Sequence, residues 1–117
     1  METAEISTSD TYDLRSRVLR PGRALSAVQF PRDAESKHFG VIEGGRVISV
    51  VTAHAEDSPL FPGEAGGWRI RGMATDPSWQ GKGAGALGLA ALLAWGRQNG
   101  VPFFWCNARV GAFRFYE

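Results

Sequence analysis

The chain has 117 residues, a net charge of +1, and a composition 44% hydrophobic and 21% charged, enough for one domain with a modest core of its own. Acidic and basic residues are interspersed, which gives no support for a general electrostatic attraction to nucleic acid or an anionic membrane. The single cysteine, Cys106, excludes an internal disulfide and any multi-cysteine metal site.

Met1 to Asp10 is acidic and polar, without the apolar centre of a signal peptide. The longest uncharged stretch, Gly83 to Gly96, is shorter than the ~17–25 residues a membrane span needs. These features, with one free cysteine, predict a single domain over residues 1–117 in the cytoplasm. Asp10, followed by Thr11-Tyr12-Asp13-Leu14, predicts the N-cap and acidic first turn of a helix ending near Arg20, where Pro21-Gly22 stops it. Leu14 and Val18 are four apart and face the core.

His38–Glu43 and Arg46–Ala53 are β-branched runs separated by Gly44-Gly45, a two-residue hairpin signal. Trp68–Thr75 predicts a third strand, with Trp68 and Ile70 on one face and Arg69 and Arg71 on the other. Asp76-Pro77 ends it. Gly85–Asn99 reads as an Ala/Leu-rich helix stopped by Gly100. Val101–Cys106 reads as a short buried strand, parallel to its neighbour through a right-handed crossover. A last helix is predicted from near Val110 to Glu117. His38 and His54 are too few and too far apart to argue for a metal.

The informative segment is Gln80-Gly81-Lys82-Gly83-Ala84-Gly85, between a strand and a helix. Successive glycines there leave backbone N–H groups uncovered at the positive end of a helix dipole, and Lys82 adds a charge. That combination favours phosphate. Gly83, Gly85 and Gly88 satisfy G-x-G-x-x-G, but a dinucleotide site wants its glycines directly after the strand and an acid about 20 residues on. Here Asp76 to Gln80 intervenes, and no acid occurs between Asp76 and Glu117. A Walker A loop fails because Gly81-Lys82 is followed by Gly83.

The run Met73-Ala-Thr-Asp-Pro-Ser-Trp-Gln-Gly-Lys-Gly-Ala-Gly resembles motif A of the GNAT acetyltransferases, Q/R-x-x-G-x-G/A, with Gln80, Gly83 and Gly85 at its fixed positions. Ala112-Phe113-Arg114-Phe115-Tyr116-Glu117 looks like motif B, A-x-x-F-Y-E. Leu14–Gly22 with Phe39-Gly40 resembles the opening of a bacterial GNAT subgroup. The resemblance spans almost the whole chain. It implies an α/β (α+β) fold: a mixed, mostly antiparallel sheet with one parallel strand pair and helices on both faces.

The same resemblance implies an acetyl-CoA-dependent N-acetyltransferase whose acceptor amine attacks the thioester directly in a ternary complex. Met73, Ala74 and Thr75 would hold the pantetheine in a gap between splayed parallel strands, one N–H polarising the carbonyl. Gln80, Gly81, Lys82, Gly83, Ala84 and Gly85 would hold the pyrophosphate. Tyr116 would protonate the departing thiolate. The position of the family asparagine that usually contacts the cofactor is taken by Arg109, with Asn107 two residues earlier, so either of the two would make that contact. A base is not identified; His54 and Glu43 are candidates.

Family members continue past Tyr116-Glu117 with two further strands that this chain lacks. That departure leaves open a catalytically silent coenzyme A-binding module. It also predicts an exposed apolar edge at Val101–Cys106, prone to aggregation or to a homo-oligomer that completes the sheet. The expected partner is a small-molecule or peptide amine, with no nucleic acid and no membrane.

Overall fold

A computed structural model describes the chain except residues 60, 109, 110 and 117, with only the backbone described from residue 107 on. Its sheet has six strands in chain order: β1 (Glu2–Glu5), β2 (Lys37–Glu43), β3 (Arg46–Ala55), β4 (Trp68–Thr75), β5 (Phe103–Ala108) and β6 (Gly111–Tyr116). All neighbours are antiparallel except β4 and β5. The mixed sheet with one parallel pair is the predicted one.

Helix α2 (Ala84–Gln98) covers one face. Leu92, fully buried, meets Phe39, Val51, Ala53, Ile70, Val101 and Phe104 there. Burying a side chain of that size stabilises by about 1.5–3 kcal/mol. The small residues of α2 permit a close approach to the strands: a Cβ on Gly85 would lie 3.4 Å from Thr75 Oγ1. Trp68 and Ile70 face this core, as predicted.

The opposite face is covered by an N-terminal helical stretch that changes its winding. It is 3-10 over Thr8–Thr11, α-helical over Tyr12–Leu14 (α1) and π over Arg15–Leu19. It starts earlier than the Asp10 cap predicted: the backbone N–H of Ser7 donates to the Asp10 carboxylate at 3.2 Å, so Asp10 works from inside the first turn. Leu14 packs against Val50 and Ala74, with Val18 at the margin. The next residue, Arg15, also points inward and is fully buried.

Three further boundaries differ from expectation. β1 was not anticipated; it pairs with β2 through its backbone while its side chains stay largely exposed, so it carries no apolar alternation. β5 begins at Phe103, since Pro102 has no N–H to give a ladder. The predicted C-terminal helix is absent: Gly111–Tyr116 forms β6, antiparallel to β5 from Phe103↔Tyr116 to Ala108↔Gly111. Phe113-Arg114-Phe115-Tyr116 is rich in the aromatic residues that favour strands, and its pairing covers the β5 edge expected to be bare.

Candidate active site

β4 and β5 pair only at Trp68↔Phe104 and Arg69↔Trp105. From Ile70 and Cys106 onward the two strands have no mutual ladder, so one edge of β4 faces a gap. A β-bulge adds to this opening. Val50 pairs with Ala74 and Thr52 with Arg71, so Gly72 and Met73 together oppose Val51. Gly72 takes φ +64°, and a Cβ there would sit 2.9 Å from the Phe30 ring and 3.2 Å from Arg15 Nε. Only glycine meets both conditions. Beside the bulge, Met73 is 41% exposed and lines a cleft of about 330 Å³ with Ile70, Gly72, Cys106, Leu19 and Phe30.

At the far end of β4, Asp76 shapes the turn into α2. Its carboxylate accepts from Ser78 N–H at 2.9 Å and Ser78 Oγ at 2.7 Å, and lies 3.2 Å from Arg17. Its own N–H donates to Ile48 O at 2.8 Å. The hydrogen bonds from Ser78, aided by Arg17, lower its pKa to about 2 from an ordinary 3.8. A carboxylate with a depressed folded-state pKa stabilises the fold above its unfolded value and loses that contribution as pH falls through the folded one. Stability should therefore decline between about pH 4 and pH 2, and Asp76→Asn should flatten that part of a pH series of urea midpoints. An unchanged slope would remove Asp76 from the acid response.

The turn then runs Pro77–Trp79, Gln80, and the glycines. The Gln80 side-chain amide donates to Thr75 O at 3.1 Å, tying the loop to the strand end. Thr75 Oγ1 is held by Ser49 Oγ at 2.9 Å. Gly81 and Gly83 adopt φ +77° and +87°, with nothing within 4 Å of where a Cβ would stand. The Lys82 ammonium lies over the Trp79 ring at 5.3 Å.

Among the described residues, no acceptor in the protein takes the N–H groups of Gly81 to Ala86; the first satisfied one is Leu87, to Gly83 O at 3.0 Å. Free N–H groups, open space and the positive end of a 15-residue helix make a place for an anion. The sequence-predicted segment from Gln80 to Gly85 thus lies at the start of α2, with Gly81 and Gly83 exposed.

The other expected site residues are less closely grouped. Asn107 lies near the C-terminal end of β5, on the side where the strands part, and pairs with Ala112. Arg109 is outside the described residues. Tyr116 is opposite Phe103, at the other end of β5, and its strand register does not bring it toward the gap. Glu43 is bonded to the N-terminal amine of Met1 at 3.2 Å, beyond the cleft. His54 is buried, not solvated, and its Nε2 meets Glu56 Oε1 at 2.8 Å. Burial alone would raise the Glu56 pKa; its bond to His54 and the charge of Arg69 outweigh this and lower it. Neither candidate base lines the cleft. Sequence reading missed the Gly72 bulge and the Asp76–Ser78 contacts, although Asp-Pro-Ser is a visible Asx-turn signal.

A splayed parallel pair, a bulge at the gap and a helix N-terminus with free N–H groups lie together along β4 and its exit, and relatives of the chain place this scaffold among the acyltransferases. The chain belongs to the GNAT family: a family model described as Acetyltransferase (GNAT) family matches residues 6–117. It is 36% identical over 111 residues to the uncharacterized N-acetyltransferase YitI of Bacillus subtilis (strain 168), covering 93% of this chain and 74% of that protein. A probable N-acyltransferase of unknown function from Enterococcus faecalis V583 shares the fold, with TM-score 0.76 and 15% identity over 92% of this chain. So does an aminoglycoside 6'-N-acetyltransferase solved with coenzyme A, with TM-score 0.70 and 11% identity over 92% of this chain. The chain spans 29% and 62% of those two solved proteins. Among the described residues no helix is long and apolar enough to cross a membrane.

Proposed function

We propose that this chain transfers an acetyl group from acetyl-CoA to a primary amine by direct attack within a ternary complex. The observation that carries the reading is the run of N–H groups from Gly81 to Ala86 with no acceptor among the described residues, at the start of α2, with Gly81 and Gly83 exposed. They would hold the pyrophosphate, with Lys82 adding charge and Gln80 fixing the loop. The pantetheine arm would run along the unpaired edge of β4 at Met73, Ala74 and Thr75, toward the cleft. Asn107, at the C-terminal end of β5, or Arg109, at the family's usual asparagine position, would contribute a further cofactor contact. In the reaction the amine nitrogen forms the new C–N bond, the C–S bond breaks, and coenzyme A leaves as thiolate, while the amine loses a proton. A β4 N–H at the gap would stabilise the carbonyl oxygen as charge develops.

Tyr116 is the proposed proton donor to the thiolate on the chemistry of its motif alone, since its register beside Phe103 gives no geometric support. Calorimetry with acetyl-CoA, followed by thiol release across a panel of amines, tests the function. Binding without release from any amine would favour a silent coenzyme A-binding module, and no binding would end both readings. Tyr116→Phe should slow release about 100-fold, within the usual range for a general acid, with acetyl-CoA affinity intact. An unchanged rate removes Tyr116 from the mechanism.

A further inference from the structure

The cleft beside the bulge has a one-sided charge. Arg20, Arg69 and Arg71 line it, and its described lining contains no aspartate, glutamate or histidine. Arg69 is offset by Glu56 at 3.4 Å. The other two have no direct carboxylate partner among the described residues, although Glu56 and Asp33 attract Arg71 from a distance. Arg20 donates only to the neighbouring Leu19 O at 3.1 Å, and Arg71 has no hydrogen-bond or carboxylate partner among the described residues. Arg71 is nevertheless held in place, its guanidinium 4.8 Å from the centre of the Phe30 ring. That ring carries Arg15 as well, at 3.9 Å, so Phe30 and the bulge fix where the Arg71 charge stands. Burial first, then the charge of Arg69, pushes the Arg71 guanidinium below its ordinary value, the response of a cation short of a counter-ion.

The part-buried guanidinium of Arg71, with exposed Arg20 beside it, would gain from a planar oxyanion able to accept two N–H bonds. A positive cleft also disfavours a protonated amine, so an acceptor would reach it as the reactive free base. A purely cationic polyamine suits neither condition.

We infer that the acceptor is a small amine that also carries an oxyanion, a carboxylate or a phosphate, bound by Arg71 and Arg20 while its nitrogen faces the gap between β4 and β5. The inference rests on the acetyltransferase reading for its direction of transfer, but the anion site can be tested separately.

The full chain, with and without coenzyme A, is titrated by calorimetry with N-acetyl-β-alanine against its amide, and with N-acetyl-O-phosphoethanolamine against N-acetylethanolamine. The anionic member of at least one pair should bind about 10- to 100-fold more tightly, as expected for hydrogen bonds to a charged group; which pair does so identifies the oxyanion. Arg71→Gln and the more exposed Arg20→Gln should each reduce that preference while leaving coenzyme A affinity unchanged. Equal binding within both pairs, binding of neither member, or a preference that survives both substitutions overturns the inference. Anion preference with no coenzyme A binding would instead sink the cofactor reading and leave the anion site standing. Thiol release with neutral amines as fast as with anionic ones would sink the anion site and leave the acetyltransferase.

Discussion

Gly83→Phe should abolish measurable acetyl-CoA binding while the protein stays folded. The backbone at Gly83 has φ +87°, and no protein atom lies within 4 Å of a Cβ built there. The new Cβ therefore meets no wall, and the cost to the fold is mainly the left-handed conformation, roughly 1–2 kcal/mol. The same open space is where a phosphate must stand to reach the N–H groups at the start of α2. Each hydrogen bond to a charged group contributes about 1.5–3 kcal/mol, so displacing even two weakens binding by roughly 100-fold or more. Calorimetry gives the affinity, and a thermal melt reports the fold. A variant that binds acetyl-CoA like the parent would show that the ligand's phosphates lie elsewhere. Gly83→Ala should fall between the two.

Arg15→Met should cost about 3–5 kcal/mol, the usual penalty for breaking a buried ion pair by removing one partner. For a small domain with a total stability of about 5–15 kcal/mol, that is a large share. Arg15 donates to Asp33 through Nη1 at 2.8 Å and Nη2 at 3.0 Å, and to Val28 O and Thr52 Oγ1 at 3.0 and 2.8 Å. Thr52 Oγ1 continues to His38 Nδ1 at 2.8 Å, and His38 Nε2 lies 3.1 Å from Asp33 O. Methionine fills much of the volume but leaves the Asp33 carboxylate beside a single backbone N–H, from Phe30.

Burial by itself would favour protonated Asp33; the bonds from Arg15 and Phe30 outweigh it and lower its pKa. Removing the larger partner exposes that desolvation cost. Adding Asp33→Asn should restore part of the lost stability, since a neutral amide needs no counter-charge. Urea unfolding followed by tryptophan fluorescence measures both. A double variant less stable than Arg15→Met would mean that hydrogen-bond geometry, not charge, holds this face together. The same change should loosen Phe30 and Gly72, because Arg15 packs against both.

The middle of the chain was legible because its signals are local. Gly44-Gly45, Asp76-Pro77 and Gly100 punctuate apolar runs long enough to set their own period, and β4 occurs over the predicted Trp68–Thr75. The glycine loop was legible for a related reason: backbone conformation is written in residue type. What escaped depends on distant partners. β1 is drawn into the sheet by β2 and has no apolar pattern of its own. Arg15 reads as a surface residue until Asp33, 18 positions away, joins it in the core. Gly72 looks like an ordinary strand glycine until Phe30 and Arg15 crowd it.

The C-terminus shows the opposite error. A last helix was expected from near Val110 to Glu117, but Gly111–Tyr116 has strand-favouring aromatics and an available β5 edge beside it. Arg69 and Arg71 were assigned to one face correctly, yet their joint effect appears only once Arg20 comes beside them from the N-terminal stretch.

The seam between β4 and β5 has a mechanical consequence. Among the described residues, two pairs, Trp68↔Phe104 and Arg69↔Trp105, form the ladder between the first four strands and the terminal hairpin. The hairpin is a leaf on a narrow hinge, steadied by the buried Phe104 and by Trp105, whose Nε1–H donates to Glu56 O at 2.7 Å. A cofactor laid along the parted edges would act as a splint, supplying from outside the cross-links that the two strands do not make to each other.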